Sequence, residues 1–145
     1  MNPYAKGSQA YKKAAVNTQD QATLILMLYD GAVRFLKKAL IKLEENDLEG
    51  AHTSLVKTKD IVAELLGSLN TEGTGEIGVN LQKLYTYIYN RLIDANIQKS
   101  PVLTDECLVL LTELREGWRA VIEQRKTKSN YVQMRGTVKP VNVEG

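Results

Sequence analysis

One histidine and one cysteine limit the side-chain chemistry open to this chain of 145 residues. Glu49 and His52 form an E-x-x-H pair, the spacing that puts a carboxylate and an imidazole on one face of a helix in di-iron bundles. Such a centre takes a second pair and two further inward carboxylates, so with a single His only a dimer would supply it. His52 also fits a phosphorylated histidine on a helix surface. Phosphotransfer sites resemble His-x-x-Lys-Gly, however, and here Leu55 and Val56 occupy the last two positions. The plainer reading is a boundary histidine near the first turn of a helix. Cys107 has no second cysteine to bridge, and one Cys with one His does not complete a four-ligand zinc site within the chain. No Ser-His-Asp or Cys-His arrangement and no glycine-rich phosphate loop is visible. The expectation is a protein with no catalytic residue, no metal and no cofactor, and not an enzyme.

Composition narrows the class further. The length suits one domain, and 43% apolar with 25% charged residues is ordinary for a folded, soluble protein. Nineteen basic against 17 acidic side chains leave a net charge of +2, too weak and too evenly spread for a phosphate track, so no nucleic acid is expected. Leu24 to Tyr29, the longest apolar run, has six residues, far short of the roughly 20 of a spanning helix. Membrane insertion is therefore not expected. Pro3, Tyr4, Lys6 and Gly7 do not make a signal-peptide core, and a lone cysteine suits a reducing, cytoplasmic setting.

Proline occurs only at 3, 101 and 140, and between these lie four stretches whose apolar residues recur three or four apart. The spacing predicts four amphipathic helices. The first runs from Asp20, a good N-cap, to about Glu45, and Asn46–Asp47 turn the corner. Asp47 caps the second, Leu48 to about Leu69, and Asn70 to Gly75 form a turn. A third spans about Glu76 to Gln98. Ser100 with Pro101 opens the fourth, which continues to about Lys126. Short connections make neighbours antiparallel, which predicts an all-α, antiparallel four-helix bundle over 20–126.

Steps of about 100° per residue sort the apolar side chains into faces. The expected core takes Ile25, Leu28, Ala32, Phe35, Leu36, Ala39 and Leu43 from the first helix, and Leu48, Ala51, Leu55, Val62, Leu66 and Leu69 from the second. The third gives Ile77, Leu81, Leu84, Ile88, Leu92 and Ala95, and the fourth Leu103, Cys107, Leu110, Leu111, Leu114, Trp118 and Val121. What remains is informative. Tyr85, Tyr89, Ile93 and Ile97 follow at spacings of four, a second apolar stripe that drifts about 40° per step off the core face. Leu26, Met27, Val33 and Ile41, with Ile61, Leu108 and Ile122, also fall outside the core faces. Scattered exposed apolar residues are normal, but a contiguous stripe usually marks a partner surface, and an amphipathic helix is its natural ligand. The stripe with Leu26, Met27 and Ile61 is the candidate partner-binding set. Alternatively, the stripe packs on a second copy of the chain, so that the protein is a monomer or a weak dimer.

The ends lack a helical period. Residues 1–19 hold Tyr4, Tyr11 and Val16 among small and polar neighbours, an arm with a few apolar anchors and a candidate lid over the stripe. Residues 127–145 are expected to be a disordered tail. Arg115, Arg119, Arg125, Lys126 and Lys128 make the end of the fourth helix basic, as its dipole favours.

The run Leu24-Ile25-Leu26-Met27-Leu28-Tyr29-Asp30-Gly31-Ala32-Val33-Arg34-Phe35-Leu36 closely resembles the signature of the flagellin export chaperones, the FliS family. Ala51-His52 with Lys57, Asp60 and Ile61 is similar to its second helix. Gly75-Glu76-Ile77, Asn80-Leu81, Leu84-Tyr85, Tyr87, Arg91-Leu92 and Ala95-Asn96 are similar to its third, and Glu113-Leu114-Arg115-Glu116 with Trp118 to its fourth. Ala10-Tyr11 and Val16 match its N-terminal arm, so the likeness covers about residues 10–125. Three places depart from the pattern. Asp20-Gln21-Ala22 stands where many relatives have Ser-Pro-Glu, Gly117 precedes Trp118 where a better helix former is usual, and the tail after Lys128 finds no counterpart.

The resemblance implies a protein of the bacterial cytosol that binds the disordered C-terminal segment of flagellin and keeps it from polymerising early. It implies delivery of that cargo to the flagellar type III export apparatus; the export apparatus or a second chaperone is a candidate further partner, and the sequence does not decide whether one docks. On this reading Tyr11 and Val16 compete with cargo for the stripe. Gly31, costly in mid-helix by about 1 kcal/mol against Ala, marks either close helix packing or a close-packed partner.

Overall fold

The computed structural model describes residues 18–69 and 75–142. They form four α-helices: α1, Thr18–Glu44; α2, Leu48–Ser68; α3, Gly75–Gln98; and α4, Pro101–Asn142. The chain divides into two compact units, Met1–Arg115 and Glu116–Gly145. The expected arm at 1–19, with Tyr11 and Val16, lies outside the described residues except for the first turn of α1, as do residues 70–74 of the expected turn.

Local chemistry sets the helix ends. Asp47 accepts the Gly50 N–H at 2.9 Å and so caps α2, and Ser100 Oγ accepts the Leu103 N–H at 3.1 Å at the start of α4. Pro101 takes the first position of α4, where its missing N–H leaves no bond unmade. α1 and α3 close alike. The Asp47 N–H reaches the Lys42 carbonyl at 2.8 Å and that of Asn46 reaches Leu43 at 3.1 Å; Ser100 and Lys99 repeat this onto Ala95 and Asn96. This is the Schellman pattern, and it holds Asn46 (φ 58°) and Lys99 (φ 49°) in the left-handed region. Asn tolerates that conformation. Lys99 does so less readily, and its ammonium offsets the strain by donating to the Asn96 carbonyl at 2.6 Å and Oδ1 at 2.9 Å.

In the first unit the helices pack as an antiparallel four-helix bundle. α1 lies on α2 and α2 on α3. Arg91 Nε stands 3.2 Å from Glu106 Oε1, tying α3 to α4, and Arg115 reaches Asp30 at 3.8 Å, tying α4 to α1. Leu36, Leu55, Leu65, Ile88, Leu92 and Leu111 are among the fully buried side chains, each contributing about 1.5–3 kcal/mol. Buried threonines satisfy themselves within their own helices: Thr58 Oγ1 donates to the Ser54 carbonyl at 2.9 Å and Thr104 Oγ1 to the Ser100 carbonyl at 2.7 Å. Tyr29 and Tyr85 meet across the bundle, hydroxyl to hydroxyl, with ring centroids 6.5 Å apart. Burial raises the Tyr29 phenol above its usual range, against the lowering effect of that hydrogen bond. Gly31 is buried and a β-carbon there would sit 3.3 Å from Ile61 Cδ1, so close packing of α1 on α2 is its reason.

Several core assignments change. Val33, placed off the core face, is buried, and so are Tyr29, Leu65 and Tyr85. Leu48, Ile77 and Val121, expected in the core, are exposed. A periodic pattern marks a face and not the presence of neighbours, and Leu48 and Ile77 sit in the first turns of α2 and α3. Trp118 and Val121 fall in the second unit. There the helix continues to Asn142 rather than ending near Lys126. Extending a formed helix adds one hydrogen bond per residue fixed, with no nucleation cost, so an aperiodic sequence can continue it.

Two predictions follow from the core. Tyr29→Phe and Tyr85→Phe should each cost about 1–3 kcal/mol in urea unfolding, because each removes one member of a buried hydrogen bond. The double variant should cost less than the sum by about 1 kcal/mol, whereas strict additivity would show that the hydroxyls do not support one another. Cys107 is buried and its thiol is pushed up to about 12, by burial first and then by Glu106, against the opposing effect of Arg91. The unfolded thiol titrates near 8.5, so from about pH 8.5 to 12 the unfolded chain sheds a proton that the native chain keeps, and stability falls as pH rises. The melting temperature should drop over this range with a shallower slope in Cys107→Val; equal slopes would contradict it.

Candidate functional site

Four residues are about 40° more than one turn, so Tyr85, Tyr89, Ile93 and Ile97 wind around α3 as they climb it. Their burial is graded accordingly. Tyr85 is 3% exposed, Tyr89 and Ile93 are half-buried, and Ile97 is 76% exposed. Tyr85 is thereby corrected from surface to core, since its ring and hydroxyl are committed to Tyr29. The other three residues form an apolar ramp from the core edge to the surface. Val79, 42% exposed, lies five turns before Ile97 on the same side of α3.

The flank of the ramp is the seam with α2. Lys59 Nζ stands 6.0 Å from the centroid of the Tyr89 ring, a cation over an aromatic face. Further along, the Asn96 side-chain amide pairs with His52 Nδ1 across the seam, 2.9 Å from Nδ2, and its Oδ1 accepts from Lys99 at 2.9 Å. This is a boundary histidine that joins two helices. Among the described residues no three His, Cys, Asp or Glu side chains gather into a metal-holding group.

The remaining candidates lie elsewhere. Ile61 packs over Gly31 in the α1–α2 seam, on the flank of α2 turned about 200° from Lys59. Leu26 is half-buried and Met27 is 61% exposed, both on α1. The seven candidates thus span the core, two seams and open surface rather than one continuous groove. Val102 and Val109 on α4 are 77% and 48% exposed and were passed over. They stand one heptad apart, and that second repeat outside the core stripe was the available signal.

No helix among the described residues is long and apolar enough to cross a membrane. The arrangement offers a graded apolar surface along α3 with the Lys59 cation at its margin.

Comparison with known proteins gives the family. Residues 4–125 match the family described as Flagellar protein FliS. The Flagellar secretion chaperone FliS of Bacillus subtilis (strain 168) is 32% identical over 125 residues, covering 86% of this chain and 90% of the relative. The protein of that name from Salmonella typhimurium is 33% identical over 122 residues, covering 81% and 90%. That from Escherichia coli (strain K12) is 32% identical over 120 residues, covering 79% and 88%. With this likeness over most of its length, the chain belongs to the FliS family of flagellar secretion chaperones.

Proposed function

We propose that the protein binds the C-terminal segment of flagellin in the bacterial cytoplasm, keeps it from polymerising early and delivers it to the flagellar type III export apparatus. The observation that carries this reading is the ramp of Tyr89, Ile93 and Ile97 beside α2. An amphipathic client that is unfolded alone can lay its apolar face on such a ramp. Its ordering entropy is offset by the area that it buries, and the bundle needs no rearrangement to receive it. Met27 and Leu26 on α1, with Ile61 at the α1–α2 seam, extend the wrapped surface around the bundle.

Affinity has to stay limited, because a chaperone that never lets go cannot export. Residues 1–19 supply the competitor in this scheme: Tyr11 and Val16 take the place of client side chains, and release at the export gate follows from that competition. A second chaperone would share the complex by using surface that the client leaves open.

Fluorescence anisotropy with the labelled flagellin C-terminal segment tests the reading. Ile97→Asp and Tyr89→Asp should each weaken binding by about ten-fold or more, as expected for central apolar contacts worth at least 1.4 kcal/mol. Ile97→Asp should leave the melting temperature unchanged, since its side chain is mostly in water. Tyr11→Asp with Val16→Asp should tighten binding. Unchanged affinity in the α3 variants would refute the ramp as the client site.

A further inference from the structure

The outer face of α4 in the first unit is apolar and acidic. Thr104, Cys107 and Leu111 are fully buried and turn one side of the helix to the core. Val102 and Val109, 77% and 48% exposed, fall on the opposite side by steps of about 100° per residue. Asp105, Glu106 and Glu113 flank them, and the one cation within 101–115 is Arg115, which reaches Asp30 on α1. Glu106 is held by Arg91. Asp105 and Glu113 are exposed, and among the described residues neither pairs with a cation.

The second unit, taken by itself, has the opposite sign. Arg125, Lys126, Lys128, Arg135 and Lys139 follow one another with no acidic residue from Gln124 through Val143, and Glu123 is the nearest acid before them. The family match stops at residue 125, where this run begins. From Arg119 to Lys128 every residue but Ile122 is exposed, so this stretch of helix is held by almost no packing of its own, and an unpacked helix is marginal in water. Gly117 is a further sign. It is exposed, a β-carbon there would meet nothing within 4 Å, and glycine in a helix interior costs about 1 kcal/mol against alanine. No contact within the chain calls for it, whereas a second helix crossing there closely would.

We infer that α4 pairs antiparallel with α4 of a second copy of this chain, the acidic segment of each lying on the basic segment of the other. When positions whose numbers add to about 240 come opposite, Val102 meets Val138, Val109 meets Tyr131, Glu106 meets Arg135 and Glu113 meets Lys128. By the helical period alone, Val102, Val109, Tyr131 and Val138 share one phase to within about 40°, so the apolar positions make the seam and the charges flank it. Gly117 falls near the centre of this register. Charge complementarity is therefore met twice in one pairing. A nucleic acid or an anionic lipid surface would engage the basic segment alone and leave Val102 and Val109 uncovered. The segment 1–17 also carries lysines, but the antiparallel register that sets Lys13 against Asp105 puts Gln9 against Val109.

Sedimentation velocity of the full chain across about 1 to 200 μM measures the pairing. A reversible dimer should grow with concentration and weaken as salt is raised. Glu113→Lys and Lys128→Glu should each weaken it by about ten-fold, because each change sets like charges together at two places in the pair. An equimolar mixture of these two variants should dimerise again, since each copy then offers the charge that the other lacks. Val109→Asp should weaken the dimer at least as much. All three positions are exposed, so melting temperatures should stay unchanged. Ile97→Asp should leave the dimer intact, which separates it from self-association through α3. A monomer at every concentration, no recovery in the mixture, or a loss in Ile97→Asp equal to that in Glu113→Lys would each overturn the assignment.

Discussion

The excess of four residues over one helical turn, about 40°, governs how this molecule joins folding to recognition. Repeated along α3, it carries one series of side chains from the centre of the bundle to open water. Tyr85 anchors the low end through its hydroxyl contact with Tyr29, and Ile97 stands at the high end. Residues at intermediate steps, Tyr89 and Ile93, belong to both worlds. In the proposed function, a client that covers them would meet side chains whose lower edges are already fixed by the core, a surface preorganised by the packing that holds the bundle together.

That arrangement depends on a bundle that stands without its client. The buried aliphatic set is continuous through α1, α2, α3 and the part of α4 in the first unit, and the buried threonines satisfy themselves locally. Ion pairs at Arg91–Glu106 and Arg115–Asp30 mark the edges where α4 meets its neighbours. They are partly exposed and contribute orientation more than stability. Gly31 lets Ile61 approach α1 closely, which draws an apolar residue offered by the sequence as partner surface into the α1–α2 seam.

Much of the fold was legible in the sequence because its signals are local. Asp47, Ser100 and Pro101 announce helix starts by their own side-chain chemistry, and each does so in the structure. The helical period located the faces within about one residue position, which is also the source of the errors. One position is about 100°, enough to put Val33 and Tyr85 outside a core that they in fact help fill. Ile77 and Leu48 failed for another reason: they have the right phase but lie in first turns. The close of α3 at Lys99 was marked by Pro101 and not by the residue that adopts the left-handed conformation, since Lys carries no preference for it.

The central claim is that a client segment, unfolded alone, folds onto a bundle that barely changes. Calorimetric titration of the full chain with the flagellin C-terminal segment, repeated at several temperatures with circular dichroism of the mixture, addresses it most directly. The account predicts saturable one-to-one binding with a negative heat-capacity change and a gain in helix over the sum of the separate components. Absence of binding, or binding with neither a heat-capacity change nor added helix, would contradict it.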